Sequence, residues 1–253
     1  MTVAEIYREL DKKIPRELSC EWDNDGLMCC PEADKEVKKA LVALDVTGEV
    51  AEAAIDGNYD LVISHHPFIF KGLKNICDEN YISGKAIRLI RQGISVMSFH
   101  TRLDALSGGV NDVLAARLGL LDVEAFGEEG IGRIGTLDES VSAYELARIL
   151  KKSLGAEGVL VSDAGLPCRR VAVLGGEGGD DIFAAMAAGA DTFVSGRLGY
   201  HSMVDAPDMG INLIEAGHFY TEDPVCAFLR ELLLDIDANI KCDIFYSNKI
   251  KLI

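Results

Sequence analysis

Short apolar runs, many of them β-branched, alternate along this chain with stretches whose apolar positions recur at helical spacing. The runs at 39–45, 60–64, 94–98, 170–175, 191–195 and 211–215 predict buried strands, since each is brief and nearly continuous in its apolar residues. Between them, residues 49–56, 83–92, 110–118, 142–153 and 181–188 predict helices. Ser142 and Glu145 head one such stretch as a capping box, in which the hydroxyl accepts from the Glu145 amide and the carboxylate reaches back to the Ser142 amide. Strand–helix alternation of this kind specifies an α/β fold with helices over both faces of the sheet.

The pattern also repeats itself. Gly57-x-x-Asp60-Leu-Val-Ile-Ser64 matches Gly189-Ala-Asp191-Thr-Phe-Val-Ser195, with the aspartate and the serine both displaced by 131 positions. Farther on, Gly93-Ile-Ser-Val-Met reappears as Gly210-Ile-Asn-Leu-Ile, and each of these strands runs into a histidine with an acid four residues later, His100 to Asp104 and His218 to Glu222. Polar residues recur at the strand ends together with the apolar ones, which points to an internal duplication. The expected architecture is two similar, intertwined α/β lobes, residues 1–125 and 126–253. The segment near 119–170 carries its own strand-like and helical patterns and is too structured for a linker.

Composition then removes several classes of partner. A chain of 253 residues with 49% hydrophobic and 26% charged content is compact and long enough to bury a core. Its formal net charge of −16 repels phosphate backbones and anionic membranes, so nucleic acid is set aside as a general partner. No apolar stretch approaches the roughly 20 residues of a membrane span. The first fifteen residues read as an amphipathic helix and not as a signal peptide. Seven cysteines without a paired CxxC read as free thiols in a reducing compartment, which places the protein in the cytoplasm.

Candidate chemistry gathers at the strand ends. The chain has five histidines, His65, His66, His100, His201 and His218, and each follows a predicted strand or opens the helix after it. Ligands of open α/β sheets collect outside the carboxyl ends of the strands. Pro67 keeps the turn at His66 extended, so that the His65 and His66 imidazoles can splay toward adjacent metals, one each. His218 and Glu222 have the spacing of one helical face. Pro224, however, predicts a helix starting near Asp223, with Glu222 at its entrance and His218 in the preceding loop. Imidazole with carboxylate suits zinc, iron, manganese, cobalt or nickel. Three histidines and two carboxylates exceed the needs of one catalytic zinc and suit two divalent ions roughly 3.5–4 Å apart, one carboxylate bridging.

Several elements together resemble a known family, the dinuclear-metal, ring-forming GTP cyclohydrolase I type 2 homologs, also called Nif-three-like proteins. They are Trp22-Asp23-Asn24-Asp25-Gly26-Leu27, Ser64-His65-His66-Pro67, Ser98-Phe99-His100-Thr101-x-x-Asp104-Ala105, His201 and Gly217-His218-Phe219-Tyr220-Thr221-Glu222. Their order and spacing carry the resemblance over essentially the whole chain, although Asp25 and Met28-Cys29-Cys30 are less regular than the usual continuation. The resemblance implies metal ligands at His65, His66, Asp104, His218 and Glu222, a dinuclear site between the two lobes, and a homohexameric toroid. It leaves His100 and His201 as orienting or proton-carrying groups. Residues 22–27 hold no group that must do chemistry and read as an anchoring turn with a buried indole, a substrate contact being the alternative.

The function this favours is metal-dependent hydrolysis of a small-molecule substrate, the ions activating water and polarising the electrophile. The family name implies GTP, with hydrolytic opening of the purine imidazole ring and release of formate. The chain has neither a P-loop nor a GxGxxG phosphate cradle. A dinuclear phosphoesterase and a non-enzymatic metal-binding scaffold are the alternatives.

Overall fold

The computed structural model describes residues 1–127 and 129–253. In chain order it runs α1 (Val3–Lys13), β1 (Gly26–Cys29), β2 (Lys39–Ala43), α2 (Gly48–Asp56), β3 (Leu61–Ser64), α3 (Tyr81–Arg91), β4 (Ser95–Ser98) and α4 (Thr101–Ala105). It continues through α5 (Val110–Arg117), β5 (Leu121–Phe126), β6 (Gly132–Val141), α6 (Ala143–Leu154), β7 (Leu160–Ser162), β8 (Cys168–Glu177), α7 (Ile182–Ala187) and β9 (Thr192–Arg197). It ends with α8 (Tyr200–Met209), β10 (Asn212–Glu215), α9 (His218–Glu222), α10 (Val225–Ile236) and β11 (Lys241–Phe245). Every strand and helix that the periodicity predicts has its counterpart here. Among the described residues no helix is long and apolar enough to cross a membrane.

The chain forms a mixed α/β fold of two compact units, Met1–Leu103 with Val225–Ser247 and Asp104–Pro224 with Asn248–Ile253. The division expected between 125 and 126 falls at the end of β5, inside the second unit. After Pro224 the chain returns to the first unit, where α10 packs on α1 and β11 pairs in parallel with β2.

The first unit holds a five-stranded sheet in the order β1-β4-β3-β2-β11. Leu41, Val62 and Val96 point to the face covered by α2 and α3, where Val50, Ala54 and Leu89 are fully buried. Their strand neighbours Val42, Leu61, Ile63 and Met97 are buried as well, so both faces are covered and the runs read as continuous instead of alternating. The second unit holds a six-stranded sheet in the order β5-β6-β8-β9-β10-β7, with β8, β9 and β10 parallel. Leu114, Leu146 and Leu150 of α5 and α6 pack with Val171, Val173 and Val194. Ala185 and Ala206 of α7 and α8 pack with Ala172, Phe193 and Leu213 of the same strands. At Ser142 the structure makes one half of the expected capping box, the hydroxyl accepting from the Glu145 amide at 3.2 Å. Both halves are made at the head of α1, between Thr2 and Glu5.

The duplication holds at the level of single hydrogen bonds. Asp60 accepts from the Lys38 and Lys39 amides at 2.9 and 3.1 Å, and Asp191 accepts from the Arg169 and Arg170 amides, 131 positions on, at 2.9 and 2.8 Å. The Ser95 amide donates to the Asp60 carbonyl at 3.0 Å, as the Asn212 amide does to the Asp191 carbonyl at 2.9 Å. Each aspartate thereby caps the start of one strand and fixes the register of its neighbours. Ser64 then pairs with Ser98, and Ser195 with Glu215, at the strand ends from which the candidate ligands emerge.

Candidate metal centre

In the first unit β3 and β4 end side by side, Ser64 beside Ser98, their hydroxyls 2.9 Å apart. His65 and His66 follow the first strand and His100 the second. The three ring centroids lie 5.0, 5.3 and 5.8 Å apart, and each ring has a nitrogen within 4.8 Å of one on the others. His65 Nδ1 lies 3.0 Å from the Phe99 carbonyl, His66 Nδ1 2.8 Å from Asp45 Oδ1, and His100 Nδ1 2.9 Å from Asp23 Oδ1. A carbonyl or an ionised carboxylate only accepts, so each Nδ1 carries the proton and a neutral imidazole then offers its Nε2 lone pair. An acceptor behind each ring also fixes its orientation and raises its basicity as a ligand.

Two of those acceptors, Asp23 and Asp45, receive no chemical role from the sequence reading. The stretch at 22–27, expected to be a turn with a buried indole and no chemical role, is the reverse: Trp22 is 60% exposed and the Asp23 side chain is fully buried. Asp23 has four hydrogen-bond donors to satisfy: His100 Nδ1 at 2.9 Å, the Thr101 amide and hydroxyl at 3.1 and 2.7 Å, and the Asn24 amide at 2.8 Å. Burial pushes the Asp23 carboxyl up, but the His100 and Thr101 hydrogen bonds outweigh it and hold the group at about 2. The signal was available as a pair of acids flanking Asn24 in a stretch with neither period. Asp45 was equally visible, closing the run 39–45 at a strand end.

The second unit supplies carboxylates. Where the sequence predicts a helix from Asp223, the structure ends α9 at Glu222 and starts α10 at Val225. Gly217, at φ +89°, turns the chain sharply after β10, which starts the helix at His218 and leaves Pro224 between the two helices. His218 and Glu222 therefore sit one turn apart, with Nε2 and Oε2 at 2.9 Å. Glu222 is buried, and an oxygen of Asp104 lies within 4.8 Å of one of its own.

A glycine bulge makes room for that carboxylate. The register of β8 against β9 slips between Leu174 and Glu177, and Gly176 takes φ +70°. A Cβ there would overlap Glu222 Oε1, and one on Gly175 would come within 3.2 Å of Glu222 Cγ. The fully buried Asn111 ties the bulge to α4: its Oδ1 accepts from the Gly175 amide at 2.7 Å and its Nδ2 donates to the Asp104 carbonyl at 3.4 Å. Burial pushes the neighbouring Asp223 carboxyl up to about 6.

His201 is placed elsewhere. It is exposed on the first turn of α8, its ring 5.5 Å from that of Tyr200, and it joins none of the groups of candidate ligands among the described residues. His100, which the resemblance leaves outside the ligands, stands instead with His65 and His66. Taken unit by unit, the donor types suit divalent cations: oriented imidazoles in the first, and in the second a buried carboxylate lodged where glycine leaves space.

Known proteins resemble this chain in sequence and in fold. A Clostridium perfringens protein named GTP cyclohydrolase 1 type 2 homolog is 31% identical over 249 residues, 95% of each chain. The Staphylococcus aureus protein SA1388 superposes with a TM-score of 0.89 at 27% identity, over 100% of this chain and 99% of the other. A Bacillus cereus protein related to NIF3 superposes at 0.90 with 24% identity, over 100% and 99%, a likeness of fold alone. The family description Duf34/NIF3 (NGG1p interacting factor 3) matches residues 1–251, and the chain belongs to that family.

Proposed function

We propose that this protein is a metal-dependent hydrolase whose two divalent ions are held by His65, His66, Asp104, His218 and Glu222. The observation that carries the reading is the convergence of three imidazoles, each with its Nδ1 already engaged. Bound there, such a pair lowers the pKa of water and polarises an electrophile. The chain's own contribution is orientation and proton handling. Asp45 and the Phe99 carbonyl hold His66 and His65, and buried Asp23 holds His100 with its Nε2 as the atom that takes or returns a proton. The curated relatives' name supports a purine nucleotide as the substrate and ring opening as the reaction. His201 is assigned no part in it.

Elemental analysis tests the ligand set. His66→Ala and His218→Ala each lose about one ion per chain, and Glu222→Ala loses both if its carboxylate bridges. Full occupancy in Glu222→Ala removes the bridging assignment. Formate release from GTP by the metal-loaded protein tests the reaction, and release of phosphate from esters in its place would make it a phosphoesterase. We propose further that the chain assembles as a homohexameric ring, since an acidic, apolar-rich chain gains from closed symmetry. Light scattering that finds a stable monomer of 27.4 kDa overturns the ring.

A further inference from the structure

Trp22 and Phe70 stand beside the histidine group in a way that the ligand reading does not use. Both are exposed, at 60% and 44%. Their ring centroids lie 6.1 Å from each other and 6.2 and 6.1 Å from that of His100, all three edge to face at 77–85°. Their exposure does not come from loose loops. The Asn24 side-chain amide donates to the Ile69 carbonyl, so the two loops are tied together. The Asp23 amide donates to the Cys20 carbonyl at 3.0 Å, and the buried Phe68 donates its own amide to Ser98 Oγ at 3.1 Å. Anchored backbone thus holds two large aromatic rings in water next to a candidate ligand. Clustered exposed aromatics of this kind mark binding surfaces.

We propose that Trp22 and Phe70 form a stacking platform for a planar nitrogen-heteroaromatic ring of purine size. The proposal rests on the hydrolase reading for its placement, since the ring would lie beside His100. The exposed Trp22 and Phe70 rings leave flat aromatic surface open and carry one indole N–H between them, which offers little hydrogen bonding to a sugar. Perpendicular rings can also cage a quaternary ammonium, so that cation is a control in the test. A flat heteroaromatic ring matches that surface by shape and polarisability, with little demand on its exact substituents.

Trp22 is the chain's single tryptophan, so intrinsic fluorescence reports on this position alone. The experiment titrates metal-loaded and metal-stripped protein with guanosine, ribose 5-phosphate and tetramethylammonium. Guanosine is expected to quench Trp22 in both preparations, and the other two compounds to leave it unchanged. Phe70→Leu should weaken guanosine binding roughly 5- to 100-fold, the range of a lost base–aromatic stack. Phe70→Tyr keeps the ring and should bind within about twofold of wild type, which separates stacking from misfolding. Quenching without turnover leaves the platform standing while the hydrolase reading fails. Turnover with guanosine affinity unchanged in Phe70→Leu sinks the platform and spares the hydrolase. No quenching at millimolar guanosine, or an equal response to either control compound, also overturns it.

Discussion

After Ile63 the first unit reads Ser64-His65-His66-Pro67; at the matching place after Val194 the second reads Ser195-Gly196-Arg197-Leu198. The frame beneath is shared, down to the aspartate that caps two backbone amides. What differs is how each unit spends the space at its strand ends. The first fills it with imidazoles and a buried ion pair. The second empties it, because a Cβ on Gly196 would come within 2.6 Å of the Gly176 carbonyl and 2.7 Å of His218 Cα and Thr221 Oγ1. The missing histidine of the second repeat is thus the room that seats α9 and its glutamate. A duplicated scaffold can present two kinds of candidate ligand when one copy carries side chains where the other carries glycine.

The largest effect should come from the ion pair of the first unit. Arg102 is fully buried on α4, with Nε donating to Asp25 at 3.0 Å and Nη1 to Asp11 and the Ile14 carbonyl at 2.7 and 2.9 Å. Removing one partner of a buried pair leaves an uncompensated charge and costs about 3–5 kcal/mol. Arg102→Met should lower stability by that amount in urea unfolding. A loss under about 1 kcal/mol would show that charge does not anchor α4.

Gly196→Ala attacks the other half of the comparison. Its neighbours are backbone atoms and a hydroxyl that already accepts from the Gly176 amide at 3.1 Å, so nothing nearby can swing aside. Overpacking of this kind costs about 1–3 kcal/mol, and it should displace α9 enough to weaken metal binding at Glu222. An alanine variant with wild-type stability and metal content would mean that the empty site is incidental.

The legible part of this molecule was its repetition. Apolar runs marked the strands because both sheet faces are covered, and the paired aspartates marked the duplication because each must cap a strand. The histidines stood out by type and place. Asp23 did not, because its partner His100 lies 77 positions away and only folding brings the two together. Trp22 differs from expectation for the opposite reason, since an indole is on average well buried and this one stands exposed beside the Phe70 and His100 rings. The short α9 was hidden by Pro224, whose signal for the next helix was stronger than any mark of the one before it.

A third and smaller effect is expected at Asp23 itself. Asp23→Asn preserves the shape of the bond to His100 but removes the charge behind the ring. Since His100 carries the proton in the proposed reaction and is not among its metal ligands, Asp23→Asn should lower turnover and leave metal content unchanged. Asp45→Asn, which acts behind the proposed ligand His66, should weaken metal binding about 10- to 100-fold. A turnover assay measures the first and competition with a metal chelator the second. Wild-type behaviour in both variants would reduce these acids to structural braces.

The smallest effect, and the sharpest check on the duplication, lies at its two caps. Asp60→Asn and Asp191→Asn each weaken a charge-assisted pair of backbone bonds, for about 1–2 kcal/mol in urea unfolding. Asp60 differs in also meeting Lys35 Nζ at 2.9 Å. Burial pushes its carboxyl up, while Lys35 and the two amides hold it down, and the net shift is below the ordinary carboxylate value. A depressed folded pKa stabilises above the unfolded pKa of about 3.9 and loses that contribution as pH falls through the folded value. The gap between wild type and Asp60→Asn should therefore stay constant from neutral pH to about pH 5 and close only below about pH 4. A gap already closing at about pH 6, or a loss at one aspartate without the other, would break the equivalence of the two repeats.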